Sequence, residues 1–331
     1  MSELRHNAIS GEWVVIATER AKRPEDFAKA EKERSVNPEY SKACPFCPGN
    51  EALSPEETFR IGGEKKWTVR VIPNKFPALF PKEILARKDD GLLHSITGYG
   101  IHEVIIENPR HNAFLPLMTD EEAKNIILAY KNRYVSLRNN EDIKAVIIFK
   151  NHGPLAGTSL EHPHSQVVAT PIIPPQMENR MIKAAHYSNE TGRCIFCQMM
   201  EEELMKKERI VLETDDFVAF EPYASAAPFQ TWIFPRRHAS SFADITENEM
   251  GDLALCLKTV LSKIYYGLGD PDLNYVINSV LFDDKKMKTM HWHISIVPRI
   301  TQPAGFEIGS GIFINTSLPE KAAEFLRQVK V

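Results

Sequence analysis

Two stretches of this chain run through the same features in the same order, and that repetition constrains the fold more than any other property. They are HEVIIENPRHNAFLPLMTDEEAKNIILAY (102–130) and FQTWIFPRRHASSFADITENEMGDLALCL (229–257). Each opens on a strand-like apolar run that ends in a proline–arginine turn bearing a histidine, His111 or His238. Eight residues beyond stands Thr119 or Thr246, followed three positions later by Glu122 or Glu249. That spacing predicts a capping box, in which the two side chains satisfy orphan backbone donors at a helix start. The helices continue with an apolar period near 3.6, as in Leu253, Leu257, Val260, Leu261 and Ile264. Next comes a strand, AVIIF (145–149) or YVIN (275–278), and then His-x-His leading into another, HPHSQVVAT (162–170) or HWHISIVP (291–298). The lone histidine precedes the His-x-His pair by 51 residues in one copy and 53 in the other. We read a tandem duplication of α+β class, each half an antiparallel sheet with packed helices. The proline-rich segment IIPPQ (172–176) marks the join, giving an N-terminal half 1–172 and a C-terminal half 173–331.

The cysteines follow the same duplication. Of five, four form two C-x-x-C pairs, Cys44/Cys47 and Cys194/Cys197, and the fifth, Cys256, lies in an apolar helical stretch. In a reducing compartment such pairs are metal ligands or redox motifs more often than structural disulfides. Each pair has a histidine partner set at matching positions: Cys44, Cys47, His111 and His162, then Cys194, Cys197, His238 and His291. Two thiolates and two imidazoles suit tetrahedral Zn²⁺, and four protein ligands close the coordination shell, so the ions are expected to be structural. The expectation is two Zn²⁺ per chain, with iron as an alternative occupant of the second site. In that site His293 competes with His291 for the fourth position.

In SLEHPHSQVVATP (159–171), residues two apart on a strand share a face, so His162, His164 and Gln166 line one surface. Pro163 fixes its own φ and lacks an N–H, which suits a strand start or an edge. If His162 is a ligand, His164 remains as a rigidly held neutral imidazole, a nucleophile at physiological pH. Attack on phosphorus would make a covalent nucleotidyl or phosphoryl histidine and split a transfer into two steps. Gln166 can donate to a phosphoryl oxygen as charge develops. The turn GPLAGTS (153–159) offers Ser159 and backbone donors around Gly157. In the second copy His293 has Ser295 and Val297 as neighbours in place of Ser165 and Gln166, so that copy is expected to have lost catalysis.

Charge excludes several classes of partner. A net charge of -4 with 25% charged residues argues against bulk nucleic-acid or membrane-surface binding. No apolar run approaches a membrane span, and MSELRHNAISGEWVVIATERAKRP carries no signal-peptide apolar region, so a cytoplasmic location is expected.

These features together resemble the galactose-1-phosphate uridylyltransferases of the histidine triad superfamily, with traits of the neighbouring ADP-glucose phosphorylase branch. The likeness covers nearly the whole chain. FKNHGPLAGTSLEHPHSQ (149–166) resembles the active-site stretch, ERAKRP (19–24) an N-terminal arginine motif, VIPNKFPAL (71–79) a nucleotide-contacting segment, and GFEIGSG (305–311) a C-terminal substrate loop. The resemblance implies ping-pong nucleotidyl transfer through His164, between a nucleotide sugar and a sugar 1-phosphate or phosphate. It also implies Gln166 and Ser159 on the phosphates, Asn74 and Asn151 near the nucleotide, Arg20 and Arg23 on phosphate or sugar, and Glu307 on sugar hydroxyls. A homodimer is implied, because the family's C-terminal loop reaches the partner's site.

Three departures bear on the substrate. Lys75 follows Asn74 where uridylyltransferases of the best-known type carry an acidic residue. No glutamine follows Glu307 within IGSGIFIN (308–315). The second C-x-x-C and GFEIGSG lean toward the phosphorylase branch. The nucleotidyl-histidine chemistry survives these departures, and the leading reading is UDP-glucose–hexose-1-phosphate uridylyl transfer. The alternatives are an ADP-sugar phosphorylase using phosphate, a hydrolase resolving the intermediate with water, and a zinc-stabilised nucleotide-binding module without turnover.

Overall fold

The computed structural model describes residues 1–18, 27, 37–63, 66–81, 84–281 and 289–331. At the N-terminus β1 (Glu3–His6) and β2 (Trp13–Ile16) form a hairpin. The first half continues with β3 (Phe59–Gly63), β4 (Lys66–Pro73), a hairpin of β5 (Arg87–Asp90) and β6 (Leu93–Ile96), β7 (Ile101–Ile106), helix α1 (Asp120–Arg138), β8 (Ala145–His152) and β9 (His164–Thr170). The second half runs α2 (Pro175–Thr191), α3 (Ile195–Lys206), β10 (Ile210–Glu213), β11 (Phe217–Phe220), β12 (Thr231–Pro235), α4 (Glu247–Leu268), β13 (Leu273–Asn278) and β14 (His293–Pro298). It closes with α5 (Gly305–Ser310), β15 (Phe313–Asn315), which pairs with β2, and α6 (Pro319–Gln328).

The duplication is written into the sheet. The first half is ordered β3-β4-β7-β9-β8 and the second β10-β11-β12-β14-β13, and β8 pairs antiparallel with β13 to make one ten-stranded sheet. Partner residues cross it in one row: Ile72, Val104, Gln166, Phe149, Val276, Ser295, Trp232 and Phe220. The row's midpoint lies between Phe149 and Val276, where a pseudo-dyad exchanges the halves. It relates Gln166 to Ser295 and, two residues back, His164 to His293.

One face of the sheet carries α1 and α4 side by side over a core common to both halves. Ile148, Val167, Ile277, Ile294 and Ile296 supply the sheet side, while Tyr130, Tyr134, Leu257, Val260 and Ile264 supply the helix side. Each such aliphatic residue contributes about 1.5–3 kcal/mol of hydrophobic stabilisation. The expected periodic positions of α4 are all buried, and Cys256 lies with them. On the other face the halves differ. Helices α2 and α3 cover the second half through Ala184, Ile195, Phe196 and Met200 packed on Trp232 and Phe234. Over the first half stands a smaller cluster of Cys44, Phe46, Cys47, Trp67, Ile72, Val104 and Ile106.

Both capping boxes form: the Thr119 and Thr246 hydroxyls accept from Glu122 N and Glu249 N, and the glutamates accept from the threonine N–H groups. Two local expectations are revised. Helix α2 starts at Pro175, inside the expected linker, because a proline at the first helical position loses no hydrogen bond. Residues 305–310 of GFEIGSG are helix rather than loop, with the Glu307 carboxylate accepting from Ala304 N–H at 3.0 Å. No helix among the described residues is long and apolar enough to cross a membrane. Thr246→Ala is expected to cost about 1 kcal/mol, the usual worth of such a cap, measurable by urea unfolding.

Candidate active site and metal centres

Pro163 introduces β9 as a central strand paired on both sides, and His164 is its first residue. The His164 ring has its Nδ1 at 2.8 Å from the His162 carbonyl. A carbonyl only accepts, so Nδ1 carries the proton and Nε2 keeps the lone pair. Phe46 meets the rings of His162 and His164 edge-on, at centroid distances of 5.9 and 5.6 Å. Burial lowers the pKa of His164 below its ordinary value, against the opposing pull of the His162 carbonyl, and favours the neutral ring. Although 6% exposed, His164 lines a cleft of about 650 Å³. Asn151, Gly153, Thr158, Ser159 and Lys150 line the same cleft, so strand β8 and the turn 153–159 form its wall. Gly157 ends that turn in the left-handed region at φ 86°.

Gln166 shares the His164 face and is held by a residue that sequence reasoning overlooked. His102 Nδ1 accepts from Ala78 N–H at 3.1 Å, which places the proton on Nε2, and Nε2 donates to Gln166 Oε1 at 2.8 Å. The Gln166 amide nitrogen is thereby left to donate elsewhere. Asn74 lies against the same imidazole, with its Nδ2 3.1 Å from His102 Nε2 and its Oδ1 accepting from Phe76 N–H at 2.9 Å. His102 is thus bonded to Gln166 and only packs against Asn74, since Nε2–H and the Asn74 amide nitrogen are both donors. A period-two reading of HEVIIEN would have placed it on the Gln166 face.

Behind His164, on the helix face, lies a buried polar network that the motifs did not announce. Glu107 accepts from Lys150 and Ser165, and from the Tyr130 hydroxyl at 3.1 Å. The Tyr130 hydroxyl also meets Ser165 Oγ at 2.5 Å and the Tyr275 hydroxyl at 2.6 Å. Burial raises the pKa of both phenols and lowers that of Lys150. The network ties Ser165, between His164 and Gln166, to α1, to β8 and to β13 of the second half.

Two side-chain clusters stand where the duplicated ligands were expected. Cys44, Cys47, His111 and His162 form one and Cys194, Cys197, His238 and His291 the other, with donor atoms in each within 4.8 Å of one another. In the first, Cys44–His162, Cys47–His111 and Cys47–His162 sulfur-to-Nδ1 distances are all 3.6 Å. Zn–S and Zn–N bonds of about 2.3 and 2.0–2.1 Å at tetrahedral angles give an edge of about 3.6 Å, so the donors fit a tetrahedral ion. His162 Nε2 donates to the Asn108 carbonyl at 2.7 Å, which leaves Nδ1 unprotonated toward the thiols. Burial also pushes its pKa down to about 4. The second cluster repeats the device: His291 Nε2 donates to the Pro235 carbonyl at 2.9 Å, and its Nδ1 faces Cys197 at 3.3 Å. His291, rather than His293, is thus the ring that faces the thiols. The first cluster is fully buried, whereas His238 of the second is exposed.

The second copy of the His-x-His strand is sealed. His293 is 2% exposed, with Phe196, Trp232 and Phe234 at ring distances of 5.7, 5.3 and 4.9 Å. Ser295 stands where Gln166 does in the first half and accepts from Trp232 Nε1 at 3.1 Å. Glu307 is not among the residues lining the His164 cleft of its own chain. Arg20 and Arg23 lie outside the described residues.

A tandem α+β fold with this strand and these Cys₂His₂ clusters is shared with a family of enzymes of the nucleotidyltransferase class. The chain belongs to the galactose-1-phosphate uridyl transferase family: residues 1–174 match the family's N-terminal domain and residues 180–330 its C-terminal domain. It is 35% identical to an ADP-glucose phosphorylase of Arabidopsis thaliana over 334 residues, covering 99% of this chain and 93% of the relative. A galactose-1-phosphate uridylyltransferase of Thermotoga maritima is 28% identical over 341 residues, covering 100% and 99%. The crystal structure of an Arabidopsis thaliana ADP-glucose phosphorylase with bound ADP-glucose superposes with a TM-score of 0.84 at 32% identity, covering 100% of both chains.

The ion pair behind the strand yields a stability test. Lys150→Met leaves Glu107 buried without its cation and is expected to cost about 3–5 kcal/mol. Combining it with Glu107→Gln should recover a large part of that loss in urea unfolding.

Proposed function

We propose that this enzyme transfers a nucleoside monophosphate from a nucleotide sugar to a phosphate acceptor through a covalent intermediate on His164. The observation that carries the reading is the His164 Nδ1–H bond to the His162 carbonyl, which frees Nε2 beside the cleft. Nε2 attacks the α-phosphorus of the donor, a P–N bond forms, and the bond to the β-phosphate oxygen breaks to release the sugar 1-phosphate. An oxygen of the acceptor phosphate then attacks the same phosphorus, the P–N bond breaks, and neutral His164 returns. Gln166, Asn151, Ser159 and the backbone at Gly157 donate to the phosphoryl oxygens, and Asn74 borders the nucleotide. Arg20 and Arg23 contact phosphate or sugar, and Glu307 binds sugar hydroxyls across a homodimer interface.

For the donor and acceptor, ADP-glucose and inorganic phosphate are favoured by the 35% identity to the plant ADP-glucose phosphorylase and by Lys75 after Asn74. The second reading, UDP-glucose with galactose 1-phosphate, is favoured by the relation to the Thermotoga uridylyltransferase along the whole chain. Cys44, Cys47, His111 and His162 hold one structural Zn²⁺, and Cys194, Cys197, His238 and His291 hold a second ion, zinc or iron. Residues 1–172 form the catalytic half and 173–331 the supporting half, and the enzyme works in the cytoplasm.

Mixing the protein with each nucleotide sugar should add the mass of AMP or UMP, and His164→Ala should abolish the adduct. Labelling that survives His164→Ala would refute the covalent mechanism. Steady release of free AMP or UMP without an acceptor would make the enzyme a hydrolase. Elemental analysis should find two metal ions per chain. Cys44→Ser should lose one ion and lower the unfolding temperature, since metal binding in such sites is coupled to folding.

A further inference from the structure

The second half has a sealed copy of the catalytic strand, yet its strand β13 lies directly beside the active-site turn. Asn274 pairs across the dyad with Asn151. Its Nδ2 donates both to the Ala156 carbonyl, at 3.0 Å, and to Asn151 Oδ1, at 2.8 Å. The first of these bonds decides the orientation of both amides. A backbone carbonyl can only accept, so the Asn274 nitrogen must face it, and the remaining N–H then meets Asn151 through its oxygen. Asn151 Nδ2 is thereby turned away from Asn274, toward the Gly157 position, where an added Cβ would lie 3.8 Å from it. Asn274 Oδ1 is buried without a partner, a cost tolerated in this orientation.

We propose that Asn274 is a positioning residue: it presents the donor end of the Asn151 amide to the phosphoryl group that His164 attacks. This rests on the nucleotidyl-histidine reading above. Neighbouring residues of the second half hold the same turn. Asp272 accepts from Leu155 N–H at 2.6 Å, and a side chain at Gly153 would collide with that carboxylate. Asp270 accepts from His152 at 2.8 Å. The second half therefore contributes to catalysis by holding the walls of a site that lies in the first.

The test exploits the direction of the hydrogen bond. The carboxylate of N274D has nearly the shape of the native amide but no hydrogens to donate, so Asn151 would turn its nitrogen toward it and offer an oxygen to the phosphoryl group. Single-turnover labelling with ADP-glucose and with UDP-glucose, read as adduct mass against time, should slow at least tenfold in N274D. The loss should exceed that in N274A. A space-filling role predicts that N274A loses at least as much as N274D, and that order would overturn the proposal. Because a carboxylate also repels the Ala156 carbonyl, the double-variant cycle separates action through that carbonyl from action through Asn151. Whether or not N274D folds, the cycle N151A, N274A and N151A/N274A decides. If Asn274 acts through Asn151, the double variant labels within twofold of N151A, and multiplying losses would refute it. A wild-type protein that forms no adduct would overturn the nucleotidyl-histidine reading and this inference with it. A normal wild-type rate shared by N274A and N274D would overturn this inference alone.

Discussion

The site depends on hydrogen bonds from imidazole nitrogens to main-chain carbonyls. An imidazole offers two nitrogens of opposite character, and the carbonyl that takes the proton of one determines what the other can do. At His162 the Asn108 carbonyl takes Nε2–H and leaves Nδ1 facing sulfur. Two residues later the His162 carbonyl takes Nδ1–H and leaves Nε2 of His164 free. Rings two residues apart are thus set to opposite tautomers, one turning a lone pair toward the thiols and the other toward the cleft. Because both acceptors are main-chain atoms, the assignment is built into the path of the backbone.

The two halves share this device and differ in what covers it. His291 repeats the tautomer of His162 by bonding to the Pro235 carbonyl. The strand that follows it is closed over by α2, α3 and the indole and phenyl rings of β12, whereas the matching surface of the first half borders a cleft. Packing, rather than loss of the histidine, distinguishes the open copy from the closed one. The closed half is still indispensable to the core, since α1 and α4 rest together on one sheet.

Much of this was legible in the sequence because duplication made weak signals mutually supporting. A threonine before a helix is ordinary, but Thr119 and Thr246 at equal distances from equivalent histidines identify both helix starts. That each cysteine pair would meet two histidines in space was readable for the same reason, as was the shared face of His164 and Gln166. What escaped was tertiary. Lys150 and Glu107 look like surface charges in FKNHG and HEVIIEN, and only the crossing of β7, β8 and β9 buries them together. His102 reads as one polar residue in an apolar strand until the register sets it against Gln166. The joining of the halves through β8 and β13 has no local signature, because each half has two edge strands and nothing in the residues of one names its partner.

That seam carries a geometric consequence. Side chains alternate along a strand, so sliding β13 by one residue along β8 would send its whole inner set to the opposite face of the sheet. The chain therefore tolerates length changes in the connection at 172–174 far better than any insertion or deletion within 145–152 or 273–278. A half released by cutting there would expose a bare strand edge suited to pairing with its own copies. In the joined chain that edge is an internal seam whose register is held by the core common to both halves.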